Sequence, residues 1–310
     1  MDSLLQCAPA VMMIRPAAFQ YNPQTADSNR MQQAGAGSDA ARQAVVEFDH
    51  GVALLRGAGV RVEVVQDIPT PPRPDAVFPN NWVSWHADGT VVLYPMQAEN
   101  RRLERRREIL DPVAAALGYR IRRVVDLSPH EQQGRYLEGT GSLVLDHVGR
   151  RAFACRSPRT DEGLVRQWAQ TFGYLPVLFD AADAGGTAWY HTNVMLSIGA
   201  RAALVAADSI AAADRSRVLE ELAATPRDVI AIDTAAAGAF AGNALELRAP
   251  GAGPEATVYA LSTTAWAALP AGARARLQAA SGAVLPLPVP TIERLGGGSV
   301  RCMLAEVFTA

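Results

Sequence analysis

The sequence predicts an α/β fold, a propeller-like array in which five strand-strand-helix-strand units form one domain over residues 1–310. Three observations predict it. The same order of elements recurs at intervals of roughly 50 residues. Within each copy, short apolar strand patterns give way to a helical period and then to a further strand. One copy is incomplete and split between the two ends of the chain, so pairing of the N- and C-terminal strands would close the array into a ring whose units cover one another. Periodicity alone leaves an ordinary open α/β sheet as the alternative.

The split unit comes first, with a strand over 11–15, a long polar loop over 16–38 that reads as a lid or edge loop, a helix over 39–57 and a strand over 60–65. Residues 301–307, at the far end, supply its missing strand. The second unit has a strand over 81–86, the hairpin turn Asp88-Gly89, a returning strand over 90–95, an arginine-rich helix over 100–117 stopped at Gly118, and a closing strand over 119–125. The third is the clearest: strands over 143–146 and 152–156, then a helix over 162–172 with Leu164, Trp168 and Phe172 at i, i+4 and i+8, then Gly173 and a strand over 175–179. The fourth repeats this order over 191–197, 201–206, 211–224 and 229–233. The fifth runs over 244–247, 258–262, 264–279 and 284–289.

Composition narrows the chemistry. With 49% hydrophobic and 19% charged residues, the chain can bury a core and is neither disordered nor fibrous. A net charge of -2 and a pI near 6.2 provide no basic field for a phosphate backbone, so no nucleic acid partner is expected. There is no lysine; all 29 basic residues counted as Lys and Arg are arginine. That excludes Schiff-base chemistry, a pyridoxal phosphate anchor and a phosphate-loop lysine. Three scattered cysteines, Cys7, Cys155 and Cys302, are too few for a disulfide framework or a structural zinc site. The longest apolar stretches, such as 8–14 and 235–245, fall short of the ~18 residues that span a bilayer, and the start has no basic n-region. A cytoplasmic protein without a membrane partner is expected.

In such a ring the first strand of each unit lines the central channel, and the residues at the unit starts are polar. They are Asp75, Phe78, Asn80 and Asn81 before the second unit, Glu138-Gly139 before the third, His191-Thr192-Asn193 before the fourth and Gly242-Asn243 before the fifth. Gly296-Gly297-Gly298 precedes Cys302 on the closing strand. A cysteine, a histidine and a carboxylate converging from separate segments form the set expected of thiol nucleophilic catalysis. The three glycines would let substrate and backbone approach closely. His50, His86, His130 and His147 read as surface or capping groups. The run Arg101, Arg102, Arg105, Arg106 and Arg107, interleaved with Glu104 and Glu108, reads as a solvated helix face.

The ordered set Asp75-x-x-Phe78-x-Asn80-Asn81, Glu138-Gly139, His191-x-Asn193 and Gly-Gly-Gly before Cys302 resembles the guanidine-modifying pentein superfamily over nearly the whole chain. Its members are arginine deiminases, dimethylarginine dimethylaminohydrolases and amidinotransferases. Residues 75–82, 137–145 and 190–195 resemble more narrowly a bacterial branch of citrulline-utilisation hydrolases. The resemblance implies a five-bladed α/β propeller that needs neither metal nor organic cofactor. It implies Cys302 as nucleophile, His191 as proton carrier, and Glu138 and Asp75 as carboxylates gripping planar nitrogens. Phe78, Asn80, Asn81, Asn193 and Asn243 would complete the substrate site, and Arg101 or Arg102 would clamp an α-carboxylate.

This chain departs from the superfamily pattern by carrying Asn80, Asn81 and Asn193 where its relatives tend to carry acids. A guanidinium is a permanent cation, whereas a ureido group is neutral and both donates and accepts, as asparagine does. The expected partner is therefore a small ureido or guanidino amino acid, and the expected reaction is cleavage of citrulline to ornithine, ammonia and carbon dioxide. Arginine deimination, dimethylarginine hydrolysis and amidino transfer are the alternatives within enzymes. A non-catalytic propeller binding protein is the alternative outside them. A homo-oligomer is compatible with the sequence.

Overall fold

The computed structural model describes residues 6–35, 39–253 and 255–309; residues 36–38 of the expected 16–38 loop lie outside them. Residues 16–35 are turns and irregular backbone, as the loop reading expects. In chain order, β1 (Ala10–Arg15), α1 (Ala40–Gly57) and β2 (Arg61–Gln66) belong to the split unit. The second unit holds β3 (Val83–Trp85), β4 (Thr90–Leu93), α2 (Glu99–Arg102), α3 (Leu110–Leu117) and β5 (Arg123–Asp126). The third holds α4 (Gly139–Ser142), β6 (Val144–Asp146), β7 (Arg151–Cys155), α5 (Glu162–Phe172) and β8 (Leu175–Phe179). The fourth has β9 (Leu196–Ile198), β10 (Ala202–Val205), α6 (Ala212–Ala223) and β11 (Asp228–Ala231). After α7 (Thr234–Gly238), the fifth has β12 (Leu245–Arg248), β13 (Thr257–Ser262), α8 (Thr263–Ala268), α9 (Ala271–Ala280) and β14 (Val284–Leu287). The chain ends through α10 (Pro290–Gly296), α11 (Val300–Met303) and β15 (Ala305–Val307).

One pairing rule runs through all five units: an antiparallel inner pair followed by a parallel outer strand. It holds for β6-β7-β8, β9-β10-β11, β12-β13-β14 and β3-β4-β5. In the split unit β15 takes the first place, antiparallel to β1 with Ala10 opposite Val307, and β2 is the parallel third strand. Inner strands such as β3 and β10 are buried at every residue, so their sequences are continuously apolar or small. Outer strands expose their ends, at Arg61 and Gln66 in β2 and at Arg123 and Asp126 in β5. A single parallel pairing of Val307 with Trp85 joins the split unit to the second. The result is one six-stranded sheet, β2-β1-β15-β3-β4-β5, beside three three-stranded ones.

The helix α5 shows how one unit is covered. Asp161 caps it by accepting from the Leu164 N–H, and Gly173 ends it in the left-handed region. Leu164, Val165, Trp168 and Ala169 form its buried face, where each large aliphatic group contributes about 2 kcal/mol.

Two expected helices are broken. In place of one helix over 100–117 there are α2, a 3-10 turn at Arg107–Ile109 and α3. Pro112 explains the break: within one continuous helix its ring would clash with the Glu108 carbonyl, whereas as third residue of α3 it needs no partner for an N–H. The arginine run is therefore no solvated face. Arg101 and Glu104 are buried against each other, Arg105 pairs with Glu131, and Arg107 alone of the five arginines is exposed, with 65% of its side chain open. Likewise Pro270 separates α8 from α9 in the expected helix over 264–279.

The third departure positions the site. Four inner strands are each preceded by a short helical turn rather than by further strand: Pro79–Asn81 before β3, α4 before β6, Thr192–Val194 before β9 and α11 before β15. Asn81, His191 and Cys302, all expected on strands, lie in or beside these turns. Neighbouring turns meet backbone to backbone. Gly139 has φ +49°, and a Cβ there would come within 2.2 Å of the Asn80 carbonyl oxygen, so only glycine fits. No helix among the described residues is long and apolar enough to cross a membrane.

Candidate active site

Cys302 sits in α11, buried, with two side-chain amides around its sulfur. Asn243 Nδ2 lies 3.3 Å from Sγ and Asn193 Nδ2 3.6 Å from it. Both amides are placed to donate to the sulfur. Asn243 Nδ2 also donates to the Asn193 carbonyl, which ties the two amides together. The Arg301 side chain turns away from this sulfur, to the Leu304 carbonyl and Glu306.

His191 precedes the turn at Thr192–Val194, and its Nε2 lies 2.8 Å from Glu138 Oε2. Glu138 Oε1 accepts from the Gln97 N–H at 3.0 Å, while Arg159 and Arg101 approach Oε2 at 3.4 and 3.7 Å. Burial would raise the Glu138 carboxyl, but Arg159, His191 and Arg101 outweigh it and hold it well below the ordinary range. Burial also pushes the His191 imidazole down, to about 4 against the opposing pull of Glu138. The imidazole is thus neutral near pH 7. Since an ionised carboxylate only accepts, Nε2 carries the proton and Nδ1 holds the free lone pair.

A second carboxylate faces the same space. Asp75 Oδ2 accepts from Asn22 Nδ2 at 2.7 Å and lies 3.6 Å from Arg101 Nε, whereas Oδ1 has no hydrogen-bond partner among the described residues. Burial raises the Asp75 carboxyl, and Arg101 opposes that rise. Arg101 makes two bonds to Glu104, at 2.9 and 3.0 Å, and donates to Asn81 Oδ1 at 3.0 Å. Burial raises the Glu104 carboxyl to about 7 even beside Arg101. Arg102, the other expected clamp, is occupied by the carbonyls of Met96 and Gln97.

Asp75, Asn81, Arg101, Arg159, His191 and Cys302 line one cavity of about 10 Å³, roughly the space of one water. Asn80, Asn193, Asn243 and Glu138 stand directly behind these residues and bond to them. The three-glycine loop lines this same cavity and has a further use. A Cβ on Gly296 or Gly298 would fall within 3 Å of the Phe78 ring, so these glycines make room for Phe78. Gly297 caps α10 in the left-handed region, and its carbonyl accepts from Asn29 and from the Tyr190 hydroxyl.

Arg159, Asn22, Glu104 and Tyr190 also belong to this site, and sequence reading does not select them. Arg159 lies in the turn after β7, bonds to Thr25 and Ser28 across the chain and stacks on Tyr190 at 5.2 Å. Among 29 arginines nothing local distinguishes it. Glu104 is hidden by its charged neighbours, which make the segment look solvated. Among the described residues no group of three or more His, Cys, Asp and Glu is placed to hold a metal ion.

The profile of the eukaryotic N,N dimethylarginine dimethylhydrolase family matches residues 15–309, nearly the entire chain. The chain belongs to the dimethylarginine dimethylhydrolase family. It is therefore a hydrolase of a carbon-nitrogen bond, of the class that acts on guanidino amino acids. Solved structures agree in fold. The N-terminal domain of ArgZ, a cyanobacterial arginine dihydrolase solved as a cysteine-to-serine mutant bound to substrate, superposes with a TM-score of 0.73 at 16% identity, covering 97% of this chain and 98% of that one. Unliganded AgrE gives 0.73 at 18% identity, with 97% of this chain covering 39% of AgrE, which is thus a much longer protein. A cysteine-to-serine mutant of the dimethylarginine dimethylhydrolase of Pseudomonas aeruginosa, complexed with citrulline, gives 0.66 at 14% identity over 96% of this chain and 98% of that one. No curated protein matches the sequence.

Proposed function

We propose that the chain hydrolyses citrulline to ornithine, ammonia and carbon dioxide, with Cys302 as nucleophile, on a five-bladed propeller frame. The observation that carries this reading is the balance of charge around the cavity. Three buried carboxylates, Asp75, Glu104 and Glu138, face two buried guanidiniums, Arg101 and Arg159. With Glu104 raised to about 7 and so partly protonated near neutrality, the cluster keeps little surplus negative charge for a cationic guanidinium. A neutral ureido group needs none. Buried charge without a partner is costly, so this balance favours citrulline over arginine.

The steps follow from the side chains. As the Cys302 sulfur, held by Asn193 and Asn243, adds to the ureido carbon, its S–H proton passes to the free Nδ1 of the neutral His191. His191 then gives that proton to the terminal nitrogen, which leaves as ammonia, and the carbon stays on sulfur as an alkyl thiocarbamate. The neutral His191 then takes a proton from water as it attacks the same carbon. The carbon-sulfur bond breaks, and the released carbamate loses carbon dioxide to leave ornithine. One water is consumed in all. Glu138 orients His191 and stabilises it while it is protonated, the free Oδ1 of Asp75 accepts an N–H of the ureido group, and Arg101 with Arg159 supplies positive charge for the α-carboxylate.

One observation favours a second reading. Asp75 presents a carboxylate oxygen without a hydrogen-bond partner among the described residues, and this oxygen also suits the N–H groups of arginine. The same sulfur step on arginine would release ammonia and yield citrulline. Incubation with citrulline, arginine, methylated arginines and agmatine, following ornithine, citrulline and ammonia, separates the two. Ornithine from citrulline as sole substrate is expected; citrulline accumulating from arginine while added citrulline persists would overturn the first reading. Cys302→Ser abolishes either reaction with the fold intact, and undiminished turnover would remove the mechanism.

A further inference from the structure

A cavity of about 320 Å³ lies away from Cys302 and is lined by His86, His147, Arg123, Arg150, Phe172, Tyr174 and Phe308, among others. Ligand pockets begin at about this size. Its place in the fold is defined by three short strands. His86 directly follows β3, His147 follows β6 and Phe308 follows β15. The opposite ends of these same strands carry Asn81, the Glu138 turn and Cys302. Each strand has three residues and spans roughly 10 Å, so the two cavities stand at opposite ends of a common set of short struts.

The walls carry aromatic rings together with the polar side chains of Asp88, Arg123, Arg150 and Thr171. The His86 ring stacks on Phe172 at 4.9 Å and 16°, and His147 meets Phe308 edge-on at 4.7 Å. The sequence reading made both histidines surface or capping groups; His86 is instead 8% exposed, with Nε2 bonded to Ser84 at 2.8 Å. Burial lowers His86 to about 4 and His147 to about 3, so neither brings charge near pH 7. Arg123 is balanced by Asp88 at 3.8 Å. Arg150 differs. Among the described residues no carboxylate lies within salt-bridge distance of it; its guanidinium lies over the Tyr174 ring at 4.1 Å and donates to the Phe172 carbonyl. Its backbone has φ 55°, and among the described residues it is one of two non-glycine residues in the left-handed region. That conformation costs about 1 kcal/mol and persists where the surroundings hold a side chain in a set position.

We propose that this cavity is a binding site for a small aryl carboxylate, with Arg150 gripping the carboxylate and Phe172, Tyr174 and Phe308 enclosing the ring. A single uncompensated guanidinium fork matches one carboxylate in a bidentate way. A multiply charged phosphate would call for several free cations, and among the described residues lining this cavity Arg150 is the arginine without a carboxylate within salt-bridge distance. The aromatic box gives the ring body its edge and face contacts.

The test is calorimetric titration of the full chain with benzoate, phenylacetate and indole-3-acetate, with acetate and inorganic phosphate alongside. Saturable binding of at least one aryl carboxylate, unchanged in Cys302→Ser and not displaced by citrulline, is expected. Arg150→Gln should weaken it by about tenfold or more, the loss of a charge-assisted pair. Arg150→Gly, which suits the backbone conformation, should weaken it equally and guards against a folding artefact. The proposal is overturned by absence of binding, by equal affinity for acetate or phosphate, by indifference to both Arg150 variants, or by competition with citrulline.

Discussion

The 2.8 Å bond from His191 Nε2 to Glu138 Oε2 joins two buried groups with opposite electrostatic histories. Burial drives the imidazole towards its neutral form, while Arg159 and Arg101 keep the carboxylate ionised. A neutral base beside a fixed anion can accept a proton from the attacking thiol or water and remain stabilised until it passes that proton on. Glu138→Gln keeps the shape and removes the charge. We expect kcat to fall by about 10²-fold or more and stability to fall by about 3 kcal/mol, because Arg159 and Arg101 lose their shared anion. Steady-state kinetics with urea unfolding checks both.

Arg159 approaches the same Glu138 oxygen, Oε2, that His191 bonds, and it is first among the charges that lower the carboxyl. In Arg159→Met, burial is left less opposed and the Glu138 carboxyl rises. Ionised Glu138 is the active form, so the acid limb of the kcat/KM profile should move to higher pH. An unmoved limb with only a raised KM would show that Arg159 holds substrate without tuning Glu138.

His86 gives a stability prediction with a defined sign. Its folded pKa, lowered to about 4 by burial, lies below the ordinary 6.5. Between those values the unfolded chain binds a proton that the folded chain refuses, so stability falls as pH drops through that window. The full effect is about 3 kcal/mol by pH 4. His86→Phe keeps the stack on Phe172 and removes the titration. Urea midpoints of the two proteins should converge as pH falls from 6.5 to 4, or cross, with the variant gaining on the parent throughout.

The repeat, the pairing of the chain ends and most strand positions were legible because alternating periods and turn residues encode them locally. The set Cys302, His191, Glu138, Asp75 and Asn81 was legible because each stands beside a glycine- or asparagine-rich turn at a unit start. Two kinds of feature were not. Proline breaks such as Pro112 look harmless where the flanking arginines all favour helix, and tertiary pairing with Glu131 and Asp75 decides the path of the chain there. Arg159 and Asn22 reach the site from a turn and a long loop, and long-range contact alone gives them meaning.

Gly296 tests the role assigned to the three-glycine loop. A Cβ there would stand 2.7 Å from Phe78 Cζ and 3.3 Å from the Phe19 ring, too close for either ring to stay in place. Phe78 is 3% exposed and begins the turn that carries Asn80 and Asn81, so its displacement would pass directly to Asn81 and, through it, to Arg101. Overpacking of this kind costs about 1–3 kcal/mol. We therefore expect Gly296→Ala to lower the unfolding free energy by that amount and to raise KM more than it lowers kcat, since Cys302 and His191 stand on other turns. Gly296→Ala combined with Phe78→Leu should recover most of the stability by removing the ring atoms in conflict. If the double variant is no more stable than Gly296→Ala alone, contact with Phe78 is not what requires glycine at this position.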